Sequence, residues 1–391
     1  MTLTALASVA LAACLVNLFL RHGFWYAAPR LLGEGPPLDA WPAVVAVVPA
    51  RNEADVIGPA LASLLRQDYP GRFSVVVVDD RSEDLTAARA RAAAAELALG
   101  ERLELVEGTP LPAGWSGKMW AVEQGVGAAE RRGQAAYLLL TDADIVHHPA
   151  TLRQLVAKAG REELDLVSLM ALLRAESFWE RLLIPAFVFF FQMLYPFPEV
   201  NRRETRLAAA AGGCMLVRKS ALARAGGIAA IRGAIIDDVA LARRIKGSGG
   251  AIWLGLTEQV LSIRPYDTLV SLWRMVARSA YTQLDYSPLL LLLAVLGMAA
   301  VFLVPPVVLV LGVALGHHLA AGLALLAWLG LAVMYAPTLK LYREPRWRAL
   351  LLPAAAALYM AMTVDSARRH WRGSGGAWKG RSYARSQSST G

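Results

Sequence analysis

The chain has 391 residues, room for one large domain and something more, and 56% of them are apolar with a mean hydropathy of +0.42, too apolar for a purely soluble enzyme. A net charge of +9 raises nucleic acid as a partner, but the basic stretches 340–348 and 368–385 flank apolar segments, which favours an anionic membrane leaflet and no nucleic acid. The two cysteines, Cys14 and Cys214, lack the spacing for zinc or a disulfide framework and fit a reducing compartment, with Cys214 a small buried residue.

Met1 to Leu20 carries no charged side chain, and Arg21, His22 and Arg30 follow it. With neither a basic start nor a cleavage site after a shorter apolar core, residues 1–22 read as an uncleaved transmembrane anchor, and the basic residues behind it place the next domain in the cytoplasm. Gly33 to Pro42 is a Gly/Pro-rich linker. Beyond it, residues 43–265 read as an α/β domain. Val44–Val48 is a buried strand running into Pro49-Ala50-Arg51-Asn52-Glu53, and 55–67 has helical spacing with Ile57, Leu61, Leu64 and Leu65 on one face. Phe73–Val78 is a second strand, ending in Asp79-Asp80-Arg81-Ser82, and 84–99 is an Ala-rich helix that Gly100 closes. This alternation predicts a parallel sheet with right-handed crossovers, to which Leu103–Val106 and Tyr137–Leu140 add strands.

Polar and acidic residues stand at the carboxyl ends of three of these strands: Asn52 and Glu53, Asp79 and Asp80, Asp142 and Asp144. Independent surface charges have no reason to choose one edge, and that edge is where open α/β sheets bind ligands, so it reads as a nucleotide pocket. No Gly-x-Gly-x-x-Gly or Gly-Lys-Ser/Thr loop is present, so neither a dinucleotide fold nor a P-loop is supported. In extended backbone, Asp142 and Asp144 point the same way and can hold a hard divalent cation, which takes further oxygens from a diphosphate. His147 and His148 are not required by such a site and read as surface residues, or residues leading into a helix, before Pro149.

The motifs Val-Pro-Ala-Arg-Asn-Glu (48–53), Val-Val-Asp-Asp-Arg-Ser (77–82) and Thr-Asp-Ala-Asp (141–144), in that order, resemble those of the family 2, GT-A fold glycosyltransferases over about residues 44–245. The runs Gly-Trp-Ser-Gly-Lys-Met-Trp-Ala (114–121) and Ile-Ile-Asp-Asp-Val-Ala-Leu-Ala-Arg (235–243), with the flanking membrane segments, look most like the hopene-associated members. The resemblance implies that Pro49, Ala50, Asn52 and Glu53 line the uridine side, that Asp79 reads the base with Asp80 beside it, and that Asp142 and Asp144 serve metal (Mg or Mn) and donor, Asp144 as the more direct ligand. Glu53 also fits an acidic residue near a helix start. Lys118 follows a glycine in a loop with Trp115 and Trp120: either it reaches a phosphate or donor-sugar oxygen while the indoles wall the pocket, or it is a surface lysine between core aromatics. Gly212-Gly213 gives either a close approach to a ligand or a bulge.

Asp237 and Asp238 precede an apolar helical face and stand at a helix N-terminus, where capping accounts for one carboxylate. The family has an acidic pair here whose second member is the general base, which implies Asp238 with Asp237 beside it, and inversion at the anomeric carbon. The Gln-x-x-Arg-Trp element of processive members is replaced by Trp273-Arg274-Met275-Val276-Ala277-Arg278-Ser279, in which Arg278 matches the arginine and Ser279 stands for the tryptophan. Arg274 and Arg278 share a helical face that meets either a diphosphate or the membrane interface.

Phe178–Pro198 is apolar, but its prolines leave too short a run to cross, so it reads as interfacial, re-entrant or packed on the sheet. Residues 266–287 read as an interfacial amphipathic region, 288–366 as two to three transmembrane or re-entrant helices and 367–391 as a basic cytoplasmic tail. A third crossing leaves that tail outside, against the charge rule, so the last apolar stretch, with Pro353, is expected to be re-entrant or interfacial. The reading is a multi-pass inner-membrane enzyme moving one sugar from a UDP-sugar to a lipid, hopanoid or otherwise polyisoprenoid. A processive polysaccharide synthase and an inactive membrane scaffold or lipid-transport component are the alternatives.

Overall fold

The computed structural model describes residues 2–31, 33, 38–133, 135–373, 377–378 and 381–382. Most of the Gly/Pro-rich linker's first half, and the basic tail beyond Gly373 apart from the short pairing of Ala377–Trp378 with Arg381–Ser382, lie outside the described residues. Two compact units result, one built on a sheet (Pro29–Arg174 and Glu199–Pro265) and one of helices (Met1–Ala28, Ala175–Pro198 and Tyr266–Gly376). Ala175–Pro198 thus groups with the apolar helices although its neighbours in sequence belong to the sheet.

The sheet comprises β1 (Val44–Ala50), β2 (Phe73–Asp79), β3 (Leu103–Glu107), β4 (Tyr137–Thr141), β5 (Ile145–His147), β6 (Leu166–Leu173), β7 (Cys214–Arg218) and β8 (Ile252–Ser262). Their order across it is β3-β2-β1-β4-β7-β6-β8-β5. β1 to β4 run parallel, as their alternation with helices predicts. The other half of the sheet, to which the sequence reading assigned no direction, adds antiparallel pairs: β7 to β4 and β6, and β5 to β8. This mixture positions the site. Thr141 at the end of β4 faces Cys214 at the start of β7, so Gly212-Gly213 arrives at the edge where Asp142 leaves. β6 is antiparallel to β7 and parallel to β8, so Ser262 at the end of β8 comes to that edge too.

The Val-rich β1 is buried along its whole length, which suits β-branched side chains packed on both faces of a sheet. Ile57, Leu61, Leu64 and Leu65 of the helix Ile57–Leu65 join β1, β2 and β4 residues in one core. The helix Gly117–Arg131 lies close on the sheet because of Gly125. A β-carbon there would stand 2.4 Å from Val47 Cγ1 and 3.1 Å from Val78 Cγ2. That close packing brings the helix N-terminus, with Lys118, to the ligand edge. Cys214 is fully buried, as its sequence context implies, and burial pushes its thiol up to about 12.

Among the described residues of the helical unit, three helices are long and apolar enough to cross a membrane: Pro288–Ala314, His318–Leu341 and Arg346–Trp371. Leu3–Phe19 is a shorter apolar helix of 17 residues. Phe178–Leu194 is one continuous helix, so Pro185 does not break it as the sequence reading supposed; a capping box of Ser177 and Glu180 starts it. The fully buried Glu180 carboxylate accepts from the backbone N–H groups of Glu176, Ser177 and Tyr266 at 3.0, 2.9 and 2.6 Å. The final helix has no internal break either, because Pro353 sits in the first turn of its α-helical part, where no intrahelical donor is lost. Its start packs by Tyr335 and Leu339 near the carboxyl end of the second long helix. Its end packs Ala367 with Tyr281 and Leu291, at the amino end of the first, and Ser366 Oγ accepts from Tyr281 N–H at 3.0 Å.

Candidate active site

The acidic residues gather around one ammonium. Lys118 Nζ lies 2.9 Å from Asp142 Oδ1 and 3.1 Å from Asp237 Oδ2. Asp238 stands beside this group, its Oδ2 accepting from Gly212 N–H at 2.9 Å and its Oδ1 from Val239 N–H at 2.7 Å. Burial opposes the charge on Lys118, but Asp142 and then Asp237 outweigh it and hold the ammonium above the ordinary lysine value. For Asp238, burial and then the Asp237 charge push the carboxyl up to about 6, against the pull of Lys118 and the two backbone N–H groups. Pro49, Lys118, Thr141, Asp142, Gly212 and Asp237 line a small cavity of about 10 Å³, room for roughly one water.

Three expectations are corrected here. Lys118 is not in a loop: Gly117–Arg131 is helical, with Ser116 Oγ capping Met119 N–H at 3.3 Å, while Trp115 and Trp120 pack edge to face on each other 5.1 Å apart. Asp142 and Asp144 do not share an extended backbone. β4 ends at Thr141 and a turn follows, closed by Ile145 N–H to Asp142 O at 3.3 Å, so the two carboxylates meet different partners. Asp144, nearly buried, accepts from Ser262 Oγ and from Arg264 Nε, each at 3.0 Å. Third, His147 is a buried residue closing β5, not a surface one; the exposed neighbour is His148. Thr141 gives its hydroxyl hydrogen to Gly213 O at 2.7 Å, so His147 Nε2 donates to Thr141 Oγ1 at 3.0 Å. Burial holds the His147 ring neutral down to about 3.

Arg264 escaped the sequence reading. Its guanidinium bridges Asp144 and Glu53 Oε2, the latter at 2.5 Å, so Glu53 is an ion-pair partner and no side-chain cap. The signal was available only through topology: the run Ile252–Ser262 had to be recognised as a strand ending at the same edge as β4. Asp79 lies at an open cleft of about 810 Å³ with Arg51, Arg81 and Glu107, and its Oδ1 accepts from Ser82 N–H at 3.1 Å. Asp80 is fully buried and lies behind that surface. Ala50 is also fully buried, its carbonyl accepting from Asp80 N–H at 2.8 Å. Asn52 adopts φ of 50° and accepts from Glu83 N–H at 2.9 Å, which ties the first two motif loops together. Arg278, exposed, caps the helix Leu269–Ala277 in the helical unit and is described there alone.

Among the described residues, no group of three His, Cys, Asp or Glu side chains is arranged to hold a metal ion. Asp142 and Asp144 are hard oxygen donors, each already drawing a cationic side chain. That fits an ion held by one or two carboxylates and completed by phosphate oxygens, the habit of magnesium-like ions, and not a cage made by the protein alone.

Comparison with known proteins bears on the fold and on the domain. The mixed sheet is of the GT-A glycosyltransferase type: the fold resembles a mannosyltransferase from Pyrobaculum calidifontis, solved in complex with GDP-Man and Mn2+, with a TM-score of 0.54 and 20% identity over 95% of this chain and 99% of that one. Residues 45–226, a little under half of the chain, match the model of Glycosyl transferase family 2. A stretch of 55 residues is 42% identical to an N-acetylglucosaminyltransferase of Mesorhizobium japonicum, covering 14% of this chain and 13% of that relative. A glucosyl-3-phosphoglycerate synthase from Mycobacterium tuberculosis, in complex with Mn2+ and UDP-Glc, is similar at a TM-score of 0.40 and 18% identity over 62% of this chain and 78% of that one.

Proposed function

We propose that the chain is a membrane-bound, metal-dependent inverting glycosyltransferase that moves a single sugar from a UDP-sugar to a lipid of hopanoid or other polyisoprenoid type. The observation that carries this reading is the meeting of Asp142, Asp237 and Asp238 around Lys118, which joins the carboxyl end of β4 to the helix Asp237–Gly247. Asp79 receives the base at the open cleft, and Asp142 and Asp144 turn towards the diphosphate. Asp238, its carboxyl raised to about 6, is ionised at neutral pH yet basic enough to take the acceptor hydroxyl proton as the oxygen attacks the anomeric carbon. The bond from that carbon to the diphosphate breaks on the opposite side, so configuration inverts and UDP leaves. A divalent ion held with Asp144 and Asp142 supplies stabilisation of the negative charge on the departing diphosphate.

A lipid acceptor is supported by the three long apolar helices and by the resemblance of the 114–121 and 235–243 runs to hopene-associated members. We place the sheet unit and the basic tail in the cytoplasm of a bacterial inner membrane. If the first two long helices cross, the carboxyl end of the second and the amino end of the first face the same side. The final helix connects those ends, so it lies in the cytoplasmic half of the bilayer and does not traverse it.

The full-length protein in detergent, given Mn2+ or Mg2+, radiolabelled UDP- and GDP-sugars and membrane lipid extract, tests this. Release of UDP with label in a small organic-soluble product is expected. Label in precipitable polymer identifies a synthase instead, and no turnover of any donor refutes the proposal.

A further inference from the structure

Resting on the proposed reaction, we infer that Lys118 is an internal counter-cation of the acidic cluster, which keeps the site shut against a lone metal ion and gives way only when the donor diphosphate arrives. Three carboxylates from two elements crowd one spot: Asp142 just beyond the end of β4, and Asp237 and Asp238 from the first turn of their helix. Without a cation, only the two backbone N–H groups on Asp238 offset their mutual repulsion in a partly dry cleft. The ammonium supplies that cation, at 2.9 Å from Asp142 and 3.1 Å from Asp237. It is also close to Gly212, where a β-carbon would meet both Lys118 Nζ and Asp238 Oδ2 at 3.4 Å.

The helix Gly117–Arg131 is fixed by Gly125 against Val47 and Val78, so its first turn is a firm base while the lysine stem can swing. Any positive ion that approaches Asp142 in the donor-free protein therefore competes with a charge already in place. A diphosphate changes the balance, because it offers Lys118 a new anionic partner and releases Asp142. The lysine then spans donor and Asp237, linking donor arrival to the helix that carries Asp238. Lys118 is in this sense a positioning residue for the carboxylates as well as a donor contact.

The test is Mn2+ binding to the full-length, donor-free protein, followed by paramagnetic resonance of the free ion. Lys118→Gln and Lys118→Met should each tighten Mn2+ binding by about tenfold or more, since the carboxylates lose their resident cation. Lys118→Arg, which keeps the charge, should bind as weakly as the wild type. UDP should tighten Mn2+ binding more in the wild type than in the Gln variant, because only the wild type has a lysine to redirect. Unchanged or weaker Mn2+ binding in both neutral variants, with thermal melts showing at least one of them folded, overturns the inference; so does an Arg variant that tightens like Gln. Should neither neutral variant fold, the wild type and the Arg variant decide: equal Mn2+ affinity with and without UDP in both overturns it. The outcome is separable from the proposed reaction. Tightened Mn2+ binding with no sugar transfer removes the reaction and keeps the counter-cation, and normal transfer with unaltered Mn2+ binding does the reverse.

Discussion

Replacing Asp238 by Asn should make the protein less active and should flatten the fall of its stability between pH 4 and 7. The carboxyl sits at about 6, against an ordinary 3.8, mainly because burial and the neighbouring Asp237 penalise its charge. Just over two pH units, at about 1.4 kcal/mol each, correspond to about 3 kcal/mol of strain in the ionised form. Asp238 keeps part of its surface in water and faces Lys118, so the working figure is about 1–2 kcal/mol. The sign follows from linkage: a carboxyl raised in the folded state contributes stability that is fully present below about pH 4 and is lost as pH rises through 6. Asn does not titrate; with one acceptor oxygen it gives up one of the two backbone N–H bonds of Asp238, a cost that is the same at every pH and is read at pH 4. Thermal melts of the metal-free proteins should therefore show the Asn variant gaining on the wild type between pH 4 and 7, up to that 1–2 kcal/mol. Over the same range wild-type kcat/KM should rise with a midpoint near 6, while the variant loses about 10²–10⁴-fold in kcat at neutral pH. A variant that does not gain on the wild type between pH 4 and 7, or that keeps its kcat, refutes the argument for a strained general base.

Arg264→Gln leaves Glu53 and Asp144 without their shared guanidinium, so a loss of about 1–3 kcal/mol in thermal stability is expected, with a raised KM for the nucleotide-sugar. Adding Glu53→Gln should recover part of the stability; strict additivity of the two losses would show that the bridge carries no coupling. His147, neutral down to about 3 in the folded state and near 6.5 unfolded, contributes stability above pH 6.5 that is lost as pH falls towards 3, and His147→Gln should flatten that acid slope in melts. A slope identical to wild type would mean the ring is solvated. For the final helix, Gly373→Cys should react with an impermeant maleimide only from the cytoplasmic face and Gly316→Cys only from the opposite one; labelling of both from one side contradicts the proposed placement.

The first half of the sheet was legible because β1, β2 and β4 are nearly unbroken Val and Leu runs, and β1 and β2 are each followed by a stretch that reads as a helix. Leucine and valine at those spacings have nowhere to go but a parallel core, and their carboxyl ends had to share an edge. The second half was hidden because β6 and β8 lie among Ala, Gly and polar residues with weaker turn signals, and antiparallel insertion of β7 leaves no local mark. That gap explains the pattern at the site. The acidic residues were identified from motifs, whereas the cations that answer them were either missed, as with Arg264, or misplaced, as with Lys118 in a supposed loop. A carboxylate in a strand-end motif announces itself locally, but its partner is chosen by topology, across 120 residues for Arg264 and Asp144. The extended-backbone argument for Asp142 and Asp144 failed for a related reason: a strand end is where extension stops, and the turn at Asp142–Ile145 sends the two side chains to separate cations. The consequence is chemical. One carboxylate of the motif answers to Lys118 and the acid pair near 238, the other to Arg264 and Glu53, so a donor that binds both must rearrange two ion pairs. Affinity for the donor is then reduced by the cost of undoing them, and the same contacts hold the empty cleft together.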